Sequence, residues 1–378
     1  VTATVGIVGG GQLARMSVQA AIPLGIQVAV LCDDPSAPAV VAGARFVRGR
    51  PDRLEDLVRL AEQVDVVTLD HEQVPAALLG ELAALGHRVA PGALAARLGQ
   101  DKAEARRVLA PEGLPVAPWT CTDDRAELAA FSEQHGWPLV VKLPTGGYDG
   151  RGVWRCRSMA ELQARLDELQ RPVLVEPLLD FRHELAVVVV RSAAGDVVAY
   201  PPFETVQRDG RCHEVLHPAP VPARRLVEAR HLAVRAAEAV DLVGAMAVEL
   251  FATERGLLLN ELAVRPHNSA HLTIEACATS QFENHLRAVV GLPLGATDAV
   301  VGAACMVNVV GPPDGSDPFD GLAAALAIAG AHVHRYAKDP RPGRKVGHVT
   351  ATAPTLEVAR TVASRAAAAL HQPVEVRA

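Results

Sequence analysis

The chain predicts a parallel α/β domain followed by a larger α+β region. Three observations predict this. Apolar strands and helical stretches alternate over the first hundred residues. Two apolar segments farther on flank a short turn with hairpin spacing. The chain has 378 residues, enough for two or three domains with ample core. Residues 5–8 read as a strand, 12–22 as a helix and 27–31 as a second strand. Helix 54–63, strand 66–69 and helix 75–85 continue the rhythm, and Pro91-Gly92 closes the unit. Such alternation means a parallel sheet covered by helices.

A helix over 101–110 and a proline-rich connection at 111–118 lead into a smaller unit. It reads as strand 139–142, glycine-rich loop 143–152, helix 159–169 and strand 173–176. Segments 183–191, 197–200, 245–251 and 256–261 read as an antiparallel sheet, interrupted by helix 224–239. From 303 the pattern is a short mixed unit, with strands near Met306, Val333 and Val349 and an alanine-rich helix over 355–370.

Composition excludes several classes. The net charge of -6 provides no basic field for nucleic acid or anionic lipid. Aromatic residues are only 3%, too few for a base-stacking platform. The six cysteines lack zinc spacing, so free thiols in a reducing cytoplasm are expected. No signal-peptide pattern is visible, and the apolar run at 20–30 is broken by Pro23, Gly25 and Gln27.

Glu249 and Glu261 are the most informative pair. Both stand in apolar strand segments on either side of the turn 253–256. Carboxylates are rarely buried without a partner, and a cation is one. Mg²⁺ takes one or two protein carboxylates and lets nucleotide phosphates complete its octahedron. If the hairpin pairs symmetrically, both acids should lie near one end of one sheet face; the bland alternative is an edge strand with solvated acids. Arg265, His267, Asn268 and Ser269 follow directly, a density of polar groups that more often lines a site.

Lys142 ends a strand, and four glycines follow before position 153. Glycines let backbone N–H groups turn onto phosphate oxygens, and the lysine adds a point charge. This is not a Walker loop, because the lysine precedes the glycines. Gly9, Gly11 and Ala14 form G-x-G-x-x-A between a strand and a helix, with Asp33 at the spacing of a ribose-binding acid. That motif alone fits a nicotinamide site, a phosphate or sugar site, or a turn that lets the helix pack closely. Near the C-terminus, Lys338, Arg341, Arg344 and Lys345 lie in a Pro/Gly-rich loop suited to a phosphate monoester, or to a solvated turn.

Together these segments resemble the N5-carboxyaminoimidazole ribonucleotide synthetase family of ATP-grasp enzymes, from Gly6 to His348. The specific parts are Gly-Gly-Gln-Leu-Ala-Arg-Met (10–16), Gly-Gly-Tyr-Asp-Gly-Arg-Gly (146–152), Asn-Glu-Leu-Ala-Val-Arg-Pro-His-Asn-Ser (260–269) and Arg-Pro-Gly-Arg-Lys-Val-Gly-His (341–348). The resemblance implies a Rossmann-like pre-ATP-grasp domain at 1–98, an ATP-grasp domain at 99–300 with its lid at about 115–178, and a small C-terminal domain at 301–378. It implies ATP-dependent carboxylation of 5-aminoimidazole ribonucleotide with bicarbonate, by way of carboxyphosphate, in purine biosynthesis.

By position, the resemblance makes Arg97, Lys142, Gly147, Tyr148, Asp149, Gly150, Arg151, Gly152 and Val153 nucleotide contacts. It adds Glu176, Pro177, Leu178 and Leu179 at the adenine edge, Glu184 at the ribose, and Gln207, Asn260 and Glu261. Glu249 and Glu261 become magnesium ligands. Asp149, Arg151, Arg265, Asn268 and Ser269 would face the reacting groups. Gln12, Leu13, Glu72, His267, Lys338 and Arg344 would meet the ribonucleotide. The resemblance further implies a cytoplasmic homodimer with product hand-off to a partner mutase. Three departures stand out: Asp70 where the family often has glutamate, Gln207 where it often has histidine, and Ala14 for glycine. The competing readings are another ATP-grasp ribonucleotide ligase, a nicotinamide-dependent oxidoreductase resting on Gly9, Gly11, Ala14 and Asp33, and an inactive ATP-binding subunit.

Overall fold

The computed structural model describes residues 3–147 and 150–371. Tyr148 and Asp149, both expected at the nucleotide, lie outside them. The first sheet holds β1 (Thr4–Val8), β2 (Gln27–Cys32), β3 (Arg45–Arg48) and β4 (Val66–Leu69), all parallel in the order β3-β2-β1-β4. The order reverses between β1 and β4, so a crevice opens at their carboxyl ends. Gly9–Gly11 leave β1 there, and Asp70 leaves β4.

A small antiparallel sheet holds β5 (Thr120–Thr122), β6 (Leu139–Lys142), β7 (Val153–Cys156) and β8 (Val173–Pro177), in the order β5-β8-β6-β7. The glycine-rich loop joins β6 to β7 as a hairpin.

The remaining strands form one nine-stranded sheet. They are β9 (Phe181–Arg191), β10 (Val197–Ala199), β11 (Phe203–Arg208), β12 (Arg211–His217), β13 (Gly244–Thr253), β14 (Leu257–Ala263), β15 (Ala303–Val310), β16 (Ala331–Arg335) and β17 (Lys345–Ala353). Their order is β14-β13-β9-β11-β12-β15-β17-β16, with β10 on β9. The run Leu185–Val190 does not alternate because both of its faces are covered. Leu185, Val187 and Val189 face helix Ala223–Ala239, while Val188 and Val190 face the opposite core with Ala288 of helix Gln281–Val290. The segment after 303, expected as a unit of its own, continues this sheet: β15 pairs with β12 from Glu214↔Val307 to His217↔Ala304. Backbone donors left at the edge of β12 are thereby satisfied.

His285 of helix Gln281–Val290 ties the first sheet to the large one. Its Nδ1 accepts from Ala245 N at 3.0 Å, so Nε2 carries the proton and donates to Thr68 Oγ1 at 3.0 Å. Burial pushes its pKa down to about 4. Above about pH 6.5 both folded and unfolded chains hold it neutral. Below that only the unfolded chain takes the proton, so stability falls with pH by at most about 1.4 kcal/mol per pH unit until the folded pKa is reached. Urea unfolding between pH 7 and pH 4.5 should record this loss. His285→Gln, which can accept and donate at the same two places, should flatten the slope; an unchanged slope would remove His285 from the account.

Candidate active site

Asp70 closes the glycine turn from below. Its Oδ2 accepts from Gly11 N at 2.5 Å and its Oδ1 from Ala14 N at 2.9 Å, at the start of helix Gln12–Ala21. Gly9 adopts φ +106°, and a Cβ at Gly11 would come within 2.5 Å of Asp70 Oδ2. A glutamate would need a different path to reach the same amides. The helix N-terminus, where an anion would otherwise sit, is therefore occupied by the protein's own carboxylate. A dinucleotide pyrophosphate would meet that charge, and Asp33 is exposed. The turn is built for close packing against Asp70.

Glu249 and Glu261 stand opposite each other across β13 and β14. Both acids therefore share one end of one sheet face, as expected from sequence, but a bulge and not symmetric pairing from the 253–256 turn puts them there. The register runs Ala252↔Leu257 and Leu250↔Leu259, and continuing it would oppose Glu249 to Asn260. A bulge inserts Asn260 and moves Glu261 into the facing position. Asn260 then also serves the site: its Oδ1 accepts from Lys142 Nζ at 3.1 Å, and its Nδ2 donates to Glu249 Oε2 at 3.4 Å.

The two acids differ in charge. Burial pushes the Glu249 carboxyl upward, and the charges of Glu261 and Glu184 push the same way. Glu261 is held below the usual carboxylate range, because Lys102 at 2.8 Å outweighs its burial. Among the described residues, no group of three or more His, Cys, Asp and Glu is arranged to hold a metal. Two facing carboxylates without a third donor fit Mg²⁺ that arrives with nucleotide phosphates, not an ion caged by protein alone.

Lys142 ends β6 beside this pair. Its Nζ lies 2.6 Å from Glu176 Oε2, and Arg106 Nε donates to Glu176 Oε1 at 2.7 Å. All three side chains are buried. Burial pushes Glu176 upward, but Lys142 and then Arg106 outweigh it and keep it ionised. The Glu176 side chain thus anchors the lysine, while its backbone in β8 pairs with Val140 of β6. Pro177 ends that strand, and Leu178 follows, part-exposed, its N–H donating to Pro138 O. Leu179 precedes the entry into β9. Glu184 on β9 accepts from Gln207 Nε2 at 3.0 Å, so glutamine there has a defined partner. Burial raises the Glu184 pKa.

The glycine loop lies over the β11–β12 turn. A Cβ on Gly150 would sit 2.7 Å from Gly210 O, and one on Gly147 would sit 2.9 Å from Arg151 O. Gly152 takes φ +78° just before Val153 opens β7. Arg97 stands apart on helix Ala93–Gln100, largely exposed, 3.5 Å from Glu104 Oε1.

The polar loop is set by contacts from three directions. Arg265 Nη2 pairs with Glu72 Oε1 at 2.5 Å, across from the first domain. His267 Nε2 lies 3.7 Å from Glu249 Oε1, and its Nδ1 is 2.8 Å from Ser269 Oγ. Burial pushes His267 well below its usual pKa, so that contact is with a neutral ring. Asn268 exchanges two 2.8 Å hydrogen bonds with Asn308, which commits its side chain to β15. Lys338 Nζ donates to Gln12 Oε1 at 2.5 Å. Leu13 points away, into a core with Met16, Phe282 and Tyr336. Arg344 Nη1 donates to Asp339 O at 3.2 Å within the basic loop.

These pairs bring three stretches of chain together, and known proteins match the same three stretches. Residues 2–100 match the ribonucleotide synthetase preATP-grasp domain, 107–282 the ATP-grasp domain and 304–361 the phosphoribosylaminoimidazole carboxylase C-terminal domain. The N5-carboxyaminoimidazole ribonucleotide synthase of Mycobacterium tuberculosis is 45% identical over 353 residues, covering 91% of this chain and 82% of that protein. The chain belongs to the N5-carboxyaminoimidazole ribonucleotide synthase family. Its Synechococcus elongatus member is 38% identical, covering 92% of this chain and 88% of that one. The Aspergillus clavatus N5-carboxyaminoimidazole synthase, solved with ADP and 5-aminoimidazole ribonucleotide, superposes with a TM-score of 0.90 at 37% identity over 98% of each chain. The fold is accordingly ATP-grasp with a parallel pre-ATP-grasp sheet.

Sequence reasoning missed Lys102, Arg106 and Asn308. Asp101 followed by Glu104 is a capping signal, and Asp101 Oδ1 does accept from Ala103 N and Glu104 N. It marks where the helix starts, not which side chains turn toward Glu261 and Glu176.

Proposed function

We propose that this chain joins 5-aminoimidazole ribonucleotide to bicarbonate at the expense of ATP, giving N5-carboxyaminoimidazole ribonucleotide, ADP and phosphate in purine biosynthesis. The convergence of the Lys142–Glu176 pair, the Glu249–Glu261 pair, Glu72–Arg265 and Gln12–Lys338 carries this reading. The working units are 1–98, 99–300 and 301–378, each contributing one edge of the site.

In the proposed sequence, a bicarbonate oxygen attacks the γ-phosphorus as the bond to the β-phosphate oxygen breaks. ADP leaves, and the bicarbonate becomes carboxyphosphate. The substrate amine then attacks the carboxyl carbon, phosphate departs, and the amine loses a proton. Lys142, fixed by Glu176, places a positive charge at the phosphates, which such transfer needs more than it needs a base. Arg265, steered by Glu72, holds the bicarbonate with the backbone at Asn268 and Ser269. Lys338 and Arg344 take the ribonucleotide phosphate, and the glycine loop with Asp149 and Arg151 excludes water from the labile intermediate. Mg²⁺ bound at Glu249 and Glu261 with the nucleotide would supply further charge neutralisation. A homodimer, a cytoplasmic location and product transfer to a mutase belong to the same reading. Among the described residues, no helix is long and apolar enough to cross a membrane.

ADP release by the purified chain should require both 5-aminoimidazole ribonucleotide and bicarbonate and should not occur with glycinamide ribonucleotide. Release that ignores bicarbonate would overturn the reading. Fluorescence titration should also register Mg-ATP but not NADH.

A further inference from the structure

Asn308 on β15, His348 on β17 and His334 on β16 stand directly opposite one another, so all three lie on one face of the sheet. Each meets a residue of the segment that continues from the polar loop. Asn308 meets Asn268 through their paired 2.8 Å bonds. The His348 ring lies 5.2 Å, centre to centre, from that of His271. His334 Nε2 is 2.6 Å from Glu275 Oε1 and must be the donor, since a carboxylate only accepts. Positions 268, 271 and 275 are spaced by three and four, one face of the turn Asn268–Ala270 and the helix Thr273–Ala276. His348 is itself fixed by Tyr336 OH at 2.7 Å and stacks on His334 at 4.3 Å.

This layer is polar and incompletely paired, buried at Asn268, His271, Asn308 and His348 and half-buried at His334. His271 Nε2, His348 Nε2, Glu275 Oε2 and Thr350 Oγ1 are buried and have no hydrogen-bond partner among the described residues. An apolar row would hold the same segment with less cost to stability. What a polar row adds is direction: each contact fixes an angle as well as a distance. The segment fixed in this way begins at Asn268 and Ser269.

We propose that Asn308, His348 and His334 are positioning residues for the two small substrates. They set the 265–269 loop from its far side without touching a ligand. This rests on the proposed role of that loop. The row should act on the ribonucleotide and bicarbonate but not on ATP, because β12 and β11 separate β15 from Glu184 on β9.

Steady-state kinetics of Asn308→Ala and His334→Phe test this. The second keeps a ring on His348 and removes only the donor. Each should lower kcat/KM for 5-aminoimidazole ribonucleotide about tenfold, the effect of one buried hydrogen bond. KM for ATP should stay within about twofold. His334→Gln, which can still donate to Glu275, should recover most of the loss. A purely structural row would lower the melting midpoint while leaving kcat/KM of the folded enzyme at the parent value, and that result overturns the proposal. Ser269→Ala, in the loop itself, separates the two possible failures. If it too leaves kcat/KM unchanged, the loop is not a substrate loop. If it lowers kcat/KM while the row variants do not, only the positioning role fails. Should Asn308→Ala not fold, the His334→Phe and His334→Gln pair still decides, since β16 is an edge strand.

Discussion

Glu261→Gln is expected to cut ADP release by at least about a hundredfold while the melting midpoint stays near that of the parent. The amide matches the carboxylate in shape, so the bulge at Asn260 and the hairpin register have no steric reason to change. What disappears is the one charge in the pair that the protein keeps ionised. Lys102, 2.8 Å from Glu261 Oε2, then faces a neutral amide, and Glu249 remains as a lone acid that burial pushes toward its protonated form. Mg²⁺ that arrives with nucleotide phosphates takes one or two protein carboxylates, and the variant leaves it one, the acid of the pair that burial disfavours as an anion. The apparent Mg²⁺ requirement should rise together with the loss of rate. Raising Mg²⁺ should recover part of the activity, which separates a weakened ion site from a misfolded one. Parental turnover in Glu261→Gln would end the metal assignment.

The largest expected effect on stability is at Arg106. Arg106→Met should cost about 3–5 kcal/mol, the usual penalty for breaking a buried ion pair from one side. The guanidinium is 1% exposed and serves four acceptor contacts. Nε and Nη2 reach Glu176 Oε1, Nη1 donates to Lys102 O, and Nη2 donates to Asn260 O at 3.0 Å. Removing it leaves Glu176 buried with Lys142 alone and takes a side-chain donor from each of two carbonyls. The Asn260 contact is in the bulge, so the lesion should reach function as well, as a raised KM for ATP. The double variant Arg106→Met with Glu176→Met should be less destabilised than the sum of the single changes, because no uncompensated charge remains in the core. Urea unfolding of the four proteins measures this; strict additivity would mean that the pair is not coupled.

The parts of the site legible from the residues are those with local chemistry. Lys142 before a run of glycines, the clustered Arg265–Ser269, and the Pro/Gly-rich basic loop each bring their polar groups close together along the chain. Three of the four strands in the first hundred residues, and the helices at 12–21, 54–61 and 76–84, are legible for the same reason, since burial by helices on both faces leaves a local pattern. Short or part-exposed strands such as β3, β5, β7, β11 and β12 carry no such run and were not read. The hairpin at 245–261 and the shared face of its two acids are legible, but the bulge that aligns them is not.

Residue identity and periodicity by themselves established a parallel sheet at the start, a glycine-rich loop after Lys142, a pair of acids on a hairpin and a basic loop at the end. Long-range packing decided the rest. Asn260 is inserted as a bulge because β14 answers to partners on both sides: β13 on one, and Pro115–Val116 on the other, where Leu259 N donates to Pro115 O at 2.7 Å. A turn sequence specifies only the first few pairs beyond it. In the same way, the glycine turn resembled a dinucleotide site until β4 placed Asp70 beneath it. Which partner fills an anion site, and which face an acid takes, depend on strands distant in sequence. Tertiary contacts settle such choices, because a shift of one residue along a strand costs little locally yet reverses every side chain beyond it.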